Sequence, residues 1–293
     1  MTLQFISDYK DNRTYRLSFN ELAGKTFGID FEKWYQLGFW NDRYVCYSFA
    51  DGERVVSNVS ASKLDFILEG KRINAVQLGA VMTAPEYRGQ GLAAKLMNIV
   101  LKEHENKCDL IYLFANDTVL DFYPKFGFHS VIKEWQYYVE IQTKNRYPGK
   151  SCKLDLSKAN DLKLLTGFVN ERTLISYIFD VDHAESILLW HCLYNFPQDV
   201  HYLEDLGVLV IAKATNEVLH LYDVIGRKKP ELTAILQRFV PSGVKKVLFY
   251  FTPDFKDVDV MYTPYKSEDY TFFVRSDAAF LKDRFFYPIA AHA

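Results

Sequence analysis

The sequence lacks several features that would fix its functional class at once. It has no excess of either charge, with 35 Lys and Arg against 37 Asp and Glu in 293 residues, so its overall field would not collect nucleic acid or an anionic membrane. Its four cysteines are scattered without C-x-x-C spacing, which argues against a disulfide framework and a metal site. The first residues lack the apolar core of a signal peptide, and no apolar run approaches a membrane span. We therefore expect a cytoplasmic protein that acts on a small or locally recognised substrate.

The most informative stretch present is a loop with two glycines between an apolar strand and an amphipathic helix. Residues 87–94 are Tyr-Arg-Gly-Gln-Gly-Leu-Ala-Ala. The pattern at 76–83 predicts a mostly buried strand, and apolar residues at i, i+4, i+7 and i+8 from Leu92 predict one helical face. Glycine lets a backbone approach a ligand, and a helix start carries unpaired N–H groups. The unit is therefore typical of a phosphate-binding turn.

Two alternatives for this turn differ in what they require of its residues. A P-loop needs Lys and then Ser or Thr after the last glycine, whereas Leu92 and Ala93 follow Gly91. The dinucleotide pattern G-x-G-x-x-A fits 89–94 formally, with Asp109 near the expected place of a ribose-binding acid. That turn normally follows its strand directly, but residues 85–88 intervene here. The P-loop is excluded, and the dinucleotide site remains an alternative.

A second motif strengthens a third interpretation. Residues 81–93 resemble the acetyl-coenzyme A motif R/Q-x-x-G-x-G/A of the GNAT N-acetyltransferase superfamily, with a cation directly before the glycine pair. Downstream, Asn116, Tyr123, Gly127 and Phe128 resemble the N-x(6)-Y-x(3)-G-F pattern of that family. The resemblance covers about 140 residues. It implies opening helices at 19–40, early strands at 43–60 and 64–70, a strand at 110–115, then a helix and a last strand at 135–141.

The resemblance also implies site residues. The backbone of Val81, Met82 and Thr83 would pair with the pantetheine arm and stabilise the oxyanion, and Tyr123 would be the general acid. The implied cofactor-binding residues are Val81, Met82, Thr83, Arg88, Gly89, Gln90, Gly91, Leu92, Ala93, Ala94, Asn116 and Thr118. Pro124 predicts that the helix kinks or ends near Tyr123.

No general base is visible in the sequence. The strand before the loop offers Gln77 where an acid would be convenient. Glu69, Glu86 and Asp121 are candidates without a spacing argument. We expect the aromatic residues of the opening helices to pack on the sheet rather than to line an acceptor pocket; they are Phe31, Trp34, Tyr35, Phe39 and Trp40.

The second half predicts another α/β unit. We expect a catalytic GNAT domain at 1–143 and a second domain at 144–293, which begins with a linker at 144–150. The second domain would be GNAT-like but degenerate, because its loop at 226–229 lacks paired glycines. Periodicity and turn residues predict helices at 159–170, 184–194 and 230–239, a hairpin from 208–212 and 218–224, and a strand at 247–251. The fold class is thus α/β, with mixed sheets of the α+β kind.

This layout resembles the tandem acetyltransferases of the enhanced intracellular survival family, without their third, sterol-carrier-like domain. In those proteins the C-terminal carboxylate reaches the active site as a base. Here residues 285–293 are more apolar than is usual for a free tail, so we expect them to dock on the protein.

The resemblance implies an acetyl-CoA-dependent N-acetyltransferase in which a primary amine attacks the thioester directly. The acceptor would be a small molecule or a peptide, and nothing in the sequence selects among amines. The alternative is a non-catalytic protein that binds or senses acyl-CoA, which the missing base favours.

Overall fold

The computed structural model describes residues 3–131, 134–141, 151–275 and 284–293. Within these ranges the chain forms two mixed β-sheets with helices packed against them, which confirms the predicted fold class. No helix in the described ranges is long and apolar enough to cross a membrane.

The helices lie close to their predicted positions. Over the described residues they are α1 (Arg13–Phe27), α2 (Glu32–Gln36), α3 (Leu92–His104), α4 (Ala159–Asn170), α5 (Glu185–Tyr194) and α6 (Leu232–Phe239). The first begins earlier than predicted because the side chain of Asn12 accepts hydrogen bonds from the N–H groups of Thr14 and Tyr15, which caps the helix start. It ends at Gly28, whose φ of 71° lies in the left-handed region.

The first sheet contains eight of the described strands. They are β1 (Gln4–Ser7), β2 (Tyr44–Asp51), β3 (Arg54–Leu68), β4 (Lys71–Thr83), β5 (Leu110–Ala115), β6 (His129–Ser130), β9 (Phe179–Asp182) and β15 (Thr271–Arg275). They run in the order β1-β2-β3-β4-β5-β15-β6, with β9 also paired to β3. The prediction of separate strands at 43–60 and 64–70 was wrong in its bounds, because β2 ends at Asp51 and β3 runs unbroken from Arg54 to Leu68.

The second sheet contains seven of the described strands. They are β7 (Glu134–Glu140), β8 (Ser151–Lys153), β10 (Val200–Leu203), β11 (Val208–Thr215), β12 (Val218–Gly226), β13 (Lys246–Phe249) and β14 (Met261–Tyr265). Their order is β14-β7-β13-β12-β11-β10-β8. The predicted hairpin is β11 and β12, which pair in antiparallel fashion.

The two halves of the chain exchange strands between the sheets. β7 was predicted to complete the first sheet, but it pairs with β13 and β14 of the second. In its place β15, from the end of the chain, pairs with β5. The predicted linker at 144–150 lies outside the described residues, and the boundary near residue 143 stays a prediction.

β4 leaves its neighbour β5 part-way along its length. The two strands are paired in parallel from Ala75 with Leu110 as far as Leu78 with Leu113. Immediately beyond Leu78, β4 has one extra residue relative to β3, and Ala80 takes a φ of 45°. A left-handed residue other than glycine costs about 1–2 kcal/mol, and the resulting β-bulge bends the strand.

The buried side chain of Asn58, on β3, holds this bulge. Its Nδ2 donates to the carbonyl of Ala80 at 2.9 Å and to Ser60 Oγ at 2.9 Å, while its Oδ1 accepts from Ser48 Oγ at 2.8 Å. Asn58 is fully buried, so water cannot replace these partners. The amide thereby offsets the strain at Ala80.

We predict that Asn58→Ala lowers the free energy of unfolding by about 2–3 kcal/mol, because it removes the hydrogen bonds of a fully buried amide to the Ala80 carbonyl, to Ser60 and to Ser48. Denaturant unfolding measures this change. Asn106→Ala, the same replacement at an exposed position, is the control and should change the value by less than about 0.5 kcal/mol. Equal effects of the two variants would contradict the role given to Asn58.

Candidate active site

A cavity of about 720 Å³ opens where β4 and β5 separate. Residues 78–83 of β4 form one side of it, and residues 114–116 at the end of β5 form the other. The turn after α1, parts of α2, β2 and α5, and residues 292–293 complete the walls. The volume is within the range of small-molecule sites.

The loop between β4 and α3 forms one end of the cavity. Gly89 and Gly91 have φ values of 76° and 72°, and a Cβ at either position would meet nothing within 4 Å. Backbone conformation, not crowding, therefore requires glycine at both. Gly91 precedes α3 without a side-chain cap, so the first N–H groups of the helix stay open. With Arg88 and Ala93 lining the cavity, this end fits a phosphate group.

The outer part of β4 offers a free backbone edge to the cavity. Val81, Met82 and Thr83 all line it, and among the described strands none pairs with β4 on the β5 side beyond Leu78. The guanidinium Nε of Arg88 donates to the carbonyl of Thr83 at 3.1 Å, which ties the loop to the strand. This edge can therefore accept an extended ligand as a neighbouring strand would be accepted.

Asn116 and Thr118 line the cavity across from the β4 edge, just after the end of β5. The Oδ1 of Asn116 accepts hydrogen bonds from the backbone N–H and the hydroxyl of Thr118 at 3.1 and 2.5 Å. Both residues are exposed at the mouth of the cavity. Because Oδ1 is occupied, Asn116 presents its Nδ2 as a donor to a ligand.

Tyr123 lines the same cavity from a short 3₁₀ turn, Tyr123–Phe126. The helix expected after β5 is replaced by this turn and by another at Asp117–Val119, in agreement with the effect predicted for Pro124. Tyr123 is 5% exposed, and its hydroxyl has no hydrogen-bond partner among the described residues. Burial raises the pKa of Tyr123 to about 12, so it stays a protonated donor at neutral pH.

Four aromatic side chains, which we call the aromatic wall, line the other end of the cavity: Phe31, Trp34, Tyr44 and Trp190. The ring centroid of Phe31 lies 5.8–6.0 Å from those of the other three. The aromatic residues of the opening helices pack in one core cluster with residues of the sheet, as predicted, but the expectation that they would not line a pocket was wrong for Phe31 and Trp34.

The last described residues enter the centre of the cavity. The backbone N–H of Ala293 donates to Gln77 Oε1 at 2.6 Å, and a Cβ on Gly79 would lie 3.2 Å from the carbonyl oxygen of Ala293. His191 Nε2 donates to the carbonyl of His292 at 2.7 Å. Burial lowers the pKa of His292 to about 3, so its imidazole is neutral. The docking predicted for this apolar segment is confirmed.

Comparison with known proteins agrees with this geometry. A family model described as an acetyltransferase (GNAT) domain matches residues 12–131. N-alpha-acetyltransferase 50 of Danio rerio is 35% identical over 85 residues, which are 27% of this chain and 49% of that protein. Residues 12–131 therefore form a GNAT acetyltransferase domain. It spans about half the length of the curated relative that it matches.

Solved structures extend the likeness of fold to the second half of this chain. Eis1 from Mycobacterium abscessus superposes with a TM-score of 0.57 at 14% identity, over 94% of this chain and 73% of that one. A probable N-acyltransferase from Enterococcus faecalis gives 0.56 at 14% identity, covering 94% and 72%. A GCN5-related N-acetyltransferase from Kribbella flavida gives 0.54 at 18% identity, covering 95% and 73%. The fold is thus the Eis-like tandem arrangement expected from the sequence.

The structure brings most predicted site residues to one cavity, but not all of them. Arg88, Ala93 and the residues predicted on β4 and β5 line it together with Tyr123. Leu92 is buried in the core, and Gly89, Gln90, Gly91 and Ala94 do not line the cavity with their side chains. The backbone N–H groups of these five residues lie at the loop and the start of α3, where a phosphate group could meet them.

The three carboxylates considered as bases do not line the cavity. Glu86, for instance, forms an ion pair with Arg54 on the surface. Sequence reasoning missed the contributions of Trp190 and of Gly79. A signal existed for Gly79, since glycine within a strand often marks a close backbone approach; no pattern marked Trp190.

Proposed function

We propose that this GNAT protein transfers an acyl group, acetyl in the simplest case, from coenzyme A to a primary amine. The observation that carries the proposal is the cavity between β4 and β5. The uncapped start of α3 lies at one end of this cavity, and the buried Tyr123 lines it. Acyl-CoA has the matching parts: a pyrophosphate, an extended amide-containing arm and a thioester.

The residues of the cavity fit this donor. The open N–H groups at 89–94 and the guanidinium of Arg88 would hold the pyrophosphate. The free edge at 81–83 would pair with the amide groups of the pantetheine arm, and Asn116 Nδ2 would donate to it from the other side. The space beside Gly89 and Gly91 is open, so a phosphate group can approach their backbone directly.

The bound thioester supplies an activated acyl carbon. In the reaction the amine nitrogen bonds to that carbon, the C–S bond breaks, and the proton lost by nitrogen balances the one gained by sulfur. Negative charge collects on the carbonyl oxygen as the nitrogen attacks. A fixed backbone N–H at 81–83 would stabilise it in the water-poor cavity, which is typically a large contribution.

Tyr123 would act on the departing sulfur as a hydrogen-bond donor. With its pKa at about 12 and a thiol near 8.5, complete proton transfer would be unfavourable by roughly 5 kcal/mol. A hydrogen bond to the thiolate does not require that transfer, and the thiolate takes its proton from the amine or from solvent. Burial therefore suits Tyr123 to stabilise the sulfur without losing its own proton.

One observation favours a second candidate, a protein that binds acyl-CoA without turnover. Among the described residues that line the cavity, none is Asp or Glu, so a side-chain base is lacking there. Residues 292–293 line the cavity, and no role as the base is assigned to them.

An assay of thiol release from acetyl-CoA over a panel of amines tests the proposed function. We expect coenzyme A to bind, as measured by calorimetry, and thiol release to depend on the added amine. Binding without turnover on any amine would support the acyl-CoA-binding candidate. Tight binding of NAD without binding of coenzyme A would instead support the dinucleotide alternative.

We predict that Tyr123→Phe lowers kcat by roughly 10²-fold, since removing one hydrogen-bond donor to charge that develops in the transition state typically costs about 10²–10³-fold. The KM for acetyl-CoA should change little. Because the pKa of Tyr123 is about 12, this group should cause no loss of kcat below a pH of about 10. Tyr177→Phe, at an exposed position away from the cavity, is the matched control. Full kcat in Tyr123→Phe would remove the tyrosine from the mechanism.

A further inference from the structure

The acceptor end of the cavity offers apolar surface and almost no free polar groups. Besides the aromatic wall it is lined by Phe27, Ile29 and Ile187. Arg88, at the opposite end, is the charged side chain among the described lining residues. An amine that enters therefore meets carbon surfaces and no side-chain counter-ion.

The polar atoms of this end are already paired within the protein. The indole N–H of Trp34 donates to the carbonyl of Ser186 at 2.8 Å, and that of Trp190 donates to the carbonyl of Asp30 at 3.3 Å. The hydroxyl of Tyr44 is hydrogen-bonded to the side chain of Ser60. The rings thus have no N–H or O–H group left for a ligand, and they can recognise it only by packing.

We infer that the acceptor is a small monoamine with an aromatic or branched aliphatic body, which packs against Phe31, Trp34, Tyr44 and Trp190. This inference rests on the proposed function and narrows it to a substrate class. The apolar body would gain by leaving water. Its single amino group would point away from the wall, toward the place where β4 and β5 diverge.

The same surfaces discriminate against acceptors with several charges. A polyamine or an aminoglycoside would have to bring further ammonium groups out of water, and no side-chain carboxylate among the described lining residues would pair with them. A monoamine has no such surplus charge. Apolar surroundings also favour the neutral form of its one amino group, which is the form that attacks.

The volume of the cavity, about 720 Å³, also favours a small molecule over a peptide. The second half of the chain contributes Ile187 and Trp190 of α5 and residues 292–293 to the walls, so the cavity has protein on the side of both halves of the chain. A peptide would need a path for its continuing backbone, with partners for each amide group. The paired polar atoms at this end supply none.

The test compares kcat/KM for four acceptors with acetyl-CoA: 2-phenylethylamine, putrescine, kanamycin and the tripeptide Phe-Ala-Ala. We expect 2-phenylethylamine to exceed each of the others by at least about 100-fold. A preference for putrescine, kanamycin or the tripeptide would overturn the inference while leaving the acyltransferase function in place. If no amine is acetylated, the proposed function fails and the inference fails with it.

Variants at Trp190 test the assignment to this wall. Trp190→Leu should lower kcat/KM for 2-phenylethylamine about tenfold with the KM for acetyl-CoA unchanged. Trp190→Glu should lower it further and raise kcat/KM for putrescine about tenfold, because a carboxylate now faces the second ammonium group. Tyr177→Glu adds the same charge at an exposed site outside the cavity. It should change kcat/KM for neither 2-phenylethylamine nor putrescine. An unchanged preference in both Trp190 variants would contradict the inference.

Discussion

The buried amide of Asn58 holds the carbonyl of Ala80 and so fixes the point at which β4 leaves β5. A regular strand would continue its parallel pairing past Leu78, and the two edges would then satisfy each other. With the bulge in place, the edge at 81–83 is left free at the surface of a cavity. The polar network of Asn58 is fully buried, so the strain at Ala80 is compensated inside the core and the ligand need not supply that energy.

The cavity also depends on the exchange of strands between the two sheets. Because β15 takes the place beside β5 that β7 was expected to approach, the end of the chain returns to the first sheet. Residues 292–293 are then held beside Gln77 and Gly79. α5, also from the second half, supplies Trp190 to the aromatic wall. The aromatic end of the cavity is thus built from both halves of the chain, whereas the end at the glycine loop belongs to the first half alone.

Local rules predicted the parts of the site that local conformation determines. Gly89 and Gly91 were recognisable because their backbone needs positive φ, and the effect of Pro124 on the segment at Tyr123 follows from its missing N–H. Helix α4 was predicted with its bounds, since its apolar period is clear. The partner of β7 could not be predicted, because a period of two shows that a strand is half-buried but not which sheet buries it. The same holds for Trp190, whose position at the cavity depends on packing between residues more than 100 positions apart.

The central claim is that the gap between β4 and β5 receives acyl-CoA. A crystal structure of the protein with coenzyme A tests it most directly. We expect the pantetheine arm to lie in the gap, within hydrogen-bonding distance of the backbone at 81–83. We also expect the pyrophosphate at about 3 Å from N–H groups of 89–94, and the sulfur close to the hydroxyl of Tyr123. Coenzyme A bound at another place, with the gap between the strands left open, would contradict the claim.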